Sequence, residues 1–227
     1  MHVEVCLKAS SGIRSEPVRA ATLQLLQALS PAQLGEGACI EFGADALLAQ
    51  HVQRVKLFDV AATATAGGAA PTPAVHVHRL YDDEVAEEDA GDGSTVAFQV
   101  WTLPATEFDG VWESLVYEDE VQPRLLRYVS AAMRFSELGV DPRVIGWNRV
   151  VLLHGPPGTG KTSLCRGLAH KLAVRLSDQY PAGHLIEVNA HSLFSKWFSE
   201  SGKMVRSRRG CTSSLGEVVL TTAATCL

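Results

Sequence analysis

Residues 149–172 read Arg-Val-Val-Leu-Leu-His-Gly-Pro-Pro-Gly-Thr-Gly-Lys-Thr-Ser-Leu-Cys-Arg-Gly-Leu-Ala-His-Lys-Leu, and this stretch decides the fold class. Arg149 to His154 is a short apolar run that predicts a buried parallel strand. Gly155-Pro156-Pro157-Gly158-Thr159-Gly160-Lys161-Thr162 then completes a G-x-x-x-x-G-K-T P-loop. Beyond it, Leu164, Leu168 and Leu172 recur at helical spacing, so strand, loop and helix come in the order the motif requires. Average residue usage yields such an octet by chance in roughly one chain in a hundred of this length.

The residue types explain the chemistry. Glycines admit backbone conformations that a Cβ would forbid, so successive N–H groups can converge on an anion. Lys161 brings a fixed positive charge to the β- and γ-phosphates, the helix N-terminus adds partial positive charge, and the Thr162 hydroxyl is placed to ligate Mg²⁺. The expected nucleotide contacts are therefore Gly155, Pro156, Pro157, Gly158, Thr159, Gly160, Lys161, Thr162 and Ser163, with ATP and Mg²⁺ as the expected cofactors. No N-K-x-D guanine-reading motif is present, which leaves a GTPase reading without a basis. Cys165, just inside the helix, reads as a small packing residue rather than a reactive thiol.

The rest of the 227 residues, 46% apolar, 20% charged and 7% aromatic, has the balance of an ordinary globular chain of one large or two small domains. No apolar stretch reaches the roughly 18 residues that span a bilayer, and Glu4, Lys8, Arg14, Glu16 and Arg19 interrupt any signal-peptide core. Membrane association and export are not expected. Five scattered cysteines without a C-x-x-C pair signal neither a disulfide framework nor a zinc site, which fits a reducing compartment. Charge divides the chain: residues 1–150 carry 11 Lys and Arg against 21 Asp and Glu, whereas 151–227 carry nine against four. Three of those nine, Arg206, Arg208 and Arg209, sit in a low-complexity tail, so direct nucleic-acid binding is not expected.

Towards the N-terminus, His2 to Lys8 alternates as a strand, and Pro17 to Leu29 reads as a helix with Val18, Leu25, Leu26 and Leu29 on one face. Segments 52–60, 74–81 and 95–103 suit strands. Asp82, Asp83, Glu84, Glu87, Glu88, Asp89 and Asp92 predict a solvated acidic loop over 82–92. His76 and His78 share a strand face, but no third ligand is evident nearby, so two ordinary strand histidines are the expectation. The pattern changes at Leu103-Pro104, and Val121 to Leu138 reads as an amphipathic helix with Leu125, Val129, Ala132, Met133 and Phe135 near one face. Beyond the P-loop helix, His184 to Asn189 reads as a strand, followed by Trp197 and Phe198 among Ser, Lys and Glu without a helical apolar stripe.

Trp147 to Cys165, Leu193-Phe194-Ser195-Lys196-Trp197-Phe198-Ser199-Glu200-Ser201-Gly202-Lys203, Leu103-Pro104-Ala105 with Glu107-Phe108, and Trp112 to Tyr117 together resemble the pachytene-checkpoint AAA+ ATPases. The resemblance is strong over about 100–205 and loose over 1–100. It implies a homo-hexameric remodeller whose N-terminal domain docks HORMA-domain substrates through a HORMA adaptor, with Trp197 and Phe198 in the pore loop that grips the substrate. It also implies a place in meiotic recombination-checkpoint and spindle-checkpoint control, in the nucleus on meiotic chromosomes and also in the cytoplasm.

After Val205 the likeness stops. No apolar strand ending in Asp-Glu follows the P-loop, and the asparagine sensor, arginine fingers and helical lid of the family are absent from these 227 residues. The expected fold is α/β: an α+β N-terminal docking domain over 1–102, a linker and helix over 103–147, the first part of an AAA+ domain over 148–205, and a divergent, disordered tail over 206–227, as in a C-terminally truncated family member inactive in hydrolysis. The alternative is a non-catalytic module that binds a HORMA adaptor. In the family's sheet the strands near 150–154 and 184–189 are not neighbours, so the second lacks a partner unless the tail supplies one; Val218-Val219-Leu220 is the segment able to try.

Overall fold

The computed structural model describes residues 1–29, 34–43, 45–60, 73–89, 96–118, 120–141, 143–144, 146, 148, 150–189 and 218–224. It is an α/β structure with two sheets. In the first, β1 (His2–Leu7) lies between β2 (Val52–Phe58), antiparallel to it, and β3 (Ala74–Arg79), parallel to it. In the second, β4 (Ala86–Asp89), β5 (Val96–Leu103), β6 (Gly183–Asn189) and β7 (Val218–Ala224) lie in that order.

Alternation in β1 decides what each face of the first sheet does. Val3, Val5 and Leu7 join Val52, Val55, Leu57, Val75 and Val77 in an apolar core closed by helix α1 (Ser15–Ala28), through Val18 and Leu26, and by α2 (Ala46–His51), through Leu48. Asp45 caps α2 by accepting from the N–H groups of Leu47 and Leu48 at 2.9 and 3.1 Å. A second core lies under helix α5 (Lys161–Arg175), where Trp101, Leu103, Ala105, Phe108, Ala169 and Leu185 pack together. Between the strands and α5 run a 3-10 turn at Thr106–Phe108, α3 (Val111–Ser114) and the amphipathic α4 (Val121–Glu137), which buries Leu125, Leu126 and Ala132.

The structure divides the chain differently from the sequence-based boundaries. Strand β5, expected in the N-terminal domain, pairs antiparallel with β6, Phe98 opposite Val188 and Trp101 opposite Leu185, so it belongs to the second sheet. Residues 86–89 of the expected acidic loop form strand β4, paired with β5 and held by a Gln99 Nε2 bond to Glu87 at 2.9 Å. Charge on such an edge discourages further strand addition. Residues 218–224, expected in a disordered tail, form β7, which runs parallel to β6 with Gly183 opposite Val218. Val150–His154 forms no strand. Val150 and Leu152 are 75% and 87% exposed, because β5 and β7 already flank β6 and no described strand offers this run a ladder.

The other face of the first sheet is polar. Glu4 and Cys6 lie in register with His76 and His78 on β3 and with Lys56 and Arg54 on β2. Against this face sits the C-terminal half of α5. Lys171 Nζ donates to Glu4 Oε1 and Oε2 at 3.0 and 2.8 Å and pairs with Glu113 at 2.8 Å, with only 3% of its side chain exposed. It also stands 3.3 Å from the centroid of the Phe58 ring. Arg54 reaches both Asp109 oxygens, at 2.7 and 2.9 Å. Farther along, Arg175 pairs with Asp59 and Arg19 with Asp178.

Burial acts on this seam unevenly. It pushes the Glu4 carboxyl up against the pull of Lys171, whereas at Glu113 the Lys171 charge overcomes burial and the pKa falls. Desolvation lowers His76 and His170 to about 4 and His78 to about 3, keeping the rings neutral. His78 faces His170, Arg54, Asp109 and Lys171, while His76 is hydrogen-bonded to His2 at 2.9 Å.

Below pH 6.5 the unfolded chain takes up protons that these folded rings refuse, so stability falls as the pH drops towards the depressed values. Glu4, its pKa raised by burial, acts in the opposite sense. Urea titrations should show the free energy of unfolding at pH 5 below that at pH 7 by about 1–2 kcal/mol per ring, and His78→Gln with His170→Gln should flatten the slope.

Candidate nucleotide site

The P-loop lies between the exposed, non-strand run Val150–His154 and the first turn of α5. Gly158 and Gly160 hold φ of +79° and +78°, in the left-handed region that glycine enters without steric cost. A Cβ on Gly160 would meet the Tyr117 hydroxyl at 3.2 Å and Leu115 Cδ2 at 3.5 Å, so this glycine also answers a close approach. Gly160 caps α5 without any side-chain acceptor, and the first turn holds no acidic residue. The first turn thus brings no carboxylate of its own to the first N–H groups of the helix, and the positive end of the helix dipole opens towards the loop.

Lys161, the first helical residue, folds back over the loop. Its Nζ donates to the carbonyls of Gly155 and Pro156 at 2.9 and 2.6 Å and lies 3.5 Å from Thr159 Oγ1, which itself donates to Pro156 O at 2.9 Å. The ammonium stands inside the curve of the loop, the position from which it can neutralise a bound phosphate. Thr162 is exposed and Ser163 half-buried on the same first turn, and Pro157 and Gly158 are exposed at the tip. Loop, Lys161 and helix N-terminus thus have the charge and curvature to fit a polyphosphate with its metal.

Helix α5 is held in place from several sides. Gly167 lies against α3: a Cβ there would meet Trp112 Cα at 3.2 Å and Trp112 N at 3.3 Å. Arg166 pairs with Glu187 of β6 at 2.7 Å, and its guanidinium lies 5.3 Å from the Trp101 ring and 5.8 Å from the Phe108 ring. Tyr117 donates its hydroxyl to Gly160 O at 3.4 Å. Cys165 is half-buried, and burial pushes its thiol up, as suits a packing residue.

Comparison with known proteins agrees with this geometry. Residues 151–220 match the family described as "ATPase family associated with various cellular activities (AAA)", and residues 1–83 match the "TRIP13 N-terminal domain". The chain is 47% identical over 207 residues to the pachytene checkpoint protein 2 homolog of Arabidopsis thaliana, covering 89% of this chain and 44% of that protein. Against the human homolog it is 44% identical over 211 residues, covering 90% and 48%. A solved structure, of C. elegans PCH-2, superposes with a TM-score of 0.75 at 29% identity over 98% of this chain and 58% of that one. The chain belongs to the pachytene checkpoint protein 2 family of AAA+ ATPases. It spans about half the length of the curated relatives it matches.

In this pachytene-checkpoint chain the AAA match runs to residue 220, into β7 and past the boundary expected at 205. The other match ends at 83, before β4, which agrees with assigning β4 and β5 to the second sheet. Trp197 and Phe198 lie outside the described residues, as does Trp147. Tyr117, Arg166, Glu187 and Gly167 were not singled out by sequence reasoning. Only Gly167, a glycine inside a helical pattern, carried a signal, since an interior glycine usually has a packing reason.

Because the opposing atoms at Gly167 are backbone, Gly167→Val should force α3 and α5 apart. Equilibrium denaturation should register a loss of about 1–3 kcal/mol, the usual cost of overpacking, with the unfolding midpoint moving down accordingly.

Proposed function

We propose that the P-loop binds ATP with Mg²⁺, with Gly155 to Gly160 wrapping the phosphates, Lys161 meeting the β- and γ-phosphates, and Thr162 holding the metal. The observation that carries this reading is the Lys161 ammonium held inside a glycine-bounded loop at a helix N-terminus that has no acidic residue in its first turn. Mg²⁺ would supply neutralisation of phosphate charge. The chain's own part is to position the phosphates and keep its carboxylates away from them. Family membership supports extending the reading to the full-length protein: an oligomeric ATPase that remodels HORMA-domain proteins, recognised through a HORMA adaptor, in the nucleus on meiotic chromosomes.

Hydrolysis needs carboxylates to position the metal and activate water. In open α/β sheets such groups stand at the carboxyl ends of strands. Beside β6 that place belongs to β7, whose sequence ends Thr-Thr-Ala-Ala. We therefore read these 227 residues as binding ATP with negligible turnover. The alternative, an adaptor-binding module that does not need nucleotide, is favoured by the self-contained apolar core of the first sheet.

Titration with a fluorescent ATP analogue should show Lys161→Ala binding at least about tenfold more weakly than the unaltered chain, since a charge-assisted bond contributes roughly 1.5–3 kcal/mol; equal affinities would sink the nucleotide site. Phosphate release above background that Lys161→Ala abolishes would overturn the claim of negligible turnover. Capture of a HORMA adaptor equally with and without nucleotide would favour the module reading.

A further inference from the structure

The two apolar cores do not merge. The core of the first sheet is closed by α1 and α2, and that of the second lies under α5 with Trp101, Phe108 and Leu185. What lies between them is mainly charge, with the Phe58 ring beside Lys171. Among the described residues, four ion pairs cross from the first sheet, the residue after β2 and α1 to the second unit: Arg54 to Asp109, Glu4 to Lys171, Asp59 to Arg175, and Arg19 to Asp178. A cavity in the seam is lined mainly by charged and polar side chains, including Cys6, Lys56, His78 and His170. Nδ1 of both His78 and His170 is buried there without a hydrogen-bond partner among the described residues.

Such a surface is a poor permanent core. Ion pairs removed from water repay little of their desolvation, yet they are directional and specify one docked geometry. Separating them returns charges to water, whereas separating an apolar core exposes hydrocarbon. Contact between domains within a chain tends towards this polar, separable type. The chain passes between the units beside a small backbone tether: Tyr81 N–H donates to Pro104 O at 2.8 Å, and Tyr81 O accepts from Thr106 N–H at 2.9 Å. Gly110, at φ +79°, follows Asp109 and leads into α3.

We propose that the polar face of the first sheet is a releasable docking surface whose occupant is the C-terminal half of α5 in the same chain, with Lys171 as the residue that latches it. The N-terminal domain undocks as a folded body about the Tyr81 tether and leaves both apolar cores intact. Because α5 starts at Lys161 and ends in this seam, one helix carries both the P-loop lysine and the latch. The latch itself does not depend on nucleotide being bound.

Two variants of the whole chain test the latch. Lys171→Glu sets a carboxylate against Glu4 and Glu113, and Lys171→Met removes the charge at similar length. Small-angle scattering should show a larger radius of gyration, while hydrogen exchange should find the β1–β2–β3 and β5–β6 ladders as protected as before. Adding Glu4→Lys to Lys171→Glu should bring the radius back towards the original value. The result is read on whichever variant keeps both ladders protected. An unchanged radius in that variant overturns the proposal, and so does loss of ladder protection in both, which would make the seam part of one cooperative core.

Discussion

An ammonium group cut off from water must find carboxylates, and the arrangement of the two halves of this chain follows from how Lys171 meets that demand. The lysine is nearly fully buried, and its partners come from two places far apart in sequence: Glu4 on the central strand of the first sheet and Glu113 on α3. Helix α5 therefore has one orientation about its axis. With Lys171 turned to the first sheet, Leu164, Ala169 and Leu172 fill the remaining sides, and Gly167 is the residue on which α3 can close. Lys161, ten residues earlier on the same rigid element, is thereby presented to the P-loop.

The second constraint is that a buried strand needs neighbours on both sides. Strand β6 takes β5 on one side, antiparallel, and β7 on the other, parallel. Strand β7 thus satisfies a ladder that would otherwise end in unpaired backbone groups. Satisfying a ladder makes few demands on side-chain identity, whereas positioning a metal or a water requires particular carboxylates. A ladder can thus be completed by a strand that carries no carboxylate, such as β7.

The P-loop was legible in advance because its demands are local. Glycine is required where φ is positive, lysine where phosphate charge must be met, and a helix must begin at once, so the information lies in eight consecutive residues. Strands β1, β2, β3, β5 and β6 and helices α1, α4 and α5 were likewise readable from periodicity. The run Val150–His154 was misjudged as a strand because an apolar run predicts burial only if another element arrives to cover it, and β5 and β7 occupy the described ladder positions beside β6. Short elements such as α2 and α3 leave too few residues for a period to show.

By itself, then, the sequence determined the P-loop, the helix behind it and the apolar face of each long element, since these depend on residues a few positions apart. Tertiary structure alone decided that β5 joins the second sheet, that 218–224 pairs with β6, and that Lys171 is a buried partner of Glu4 rather than a solvated helix residue. Helical position places Lys171 one residue from Leu172, but the partner that makes its burial tolerable lies 167 residues away. No local pattern encodes a pairing at that separation, because a charge and its counter-charge are recognisable as a pair only when the fold has brought them together.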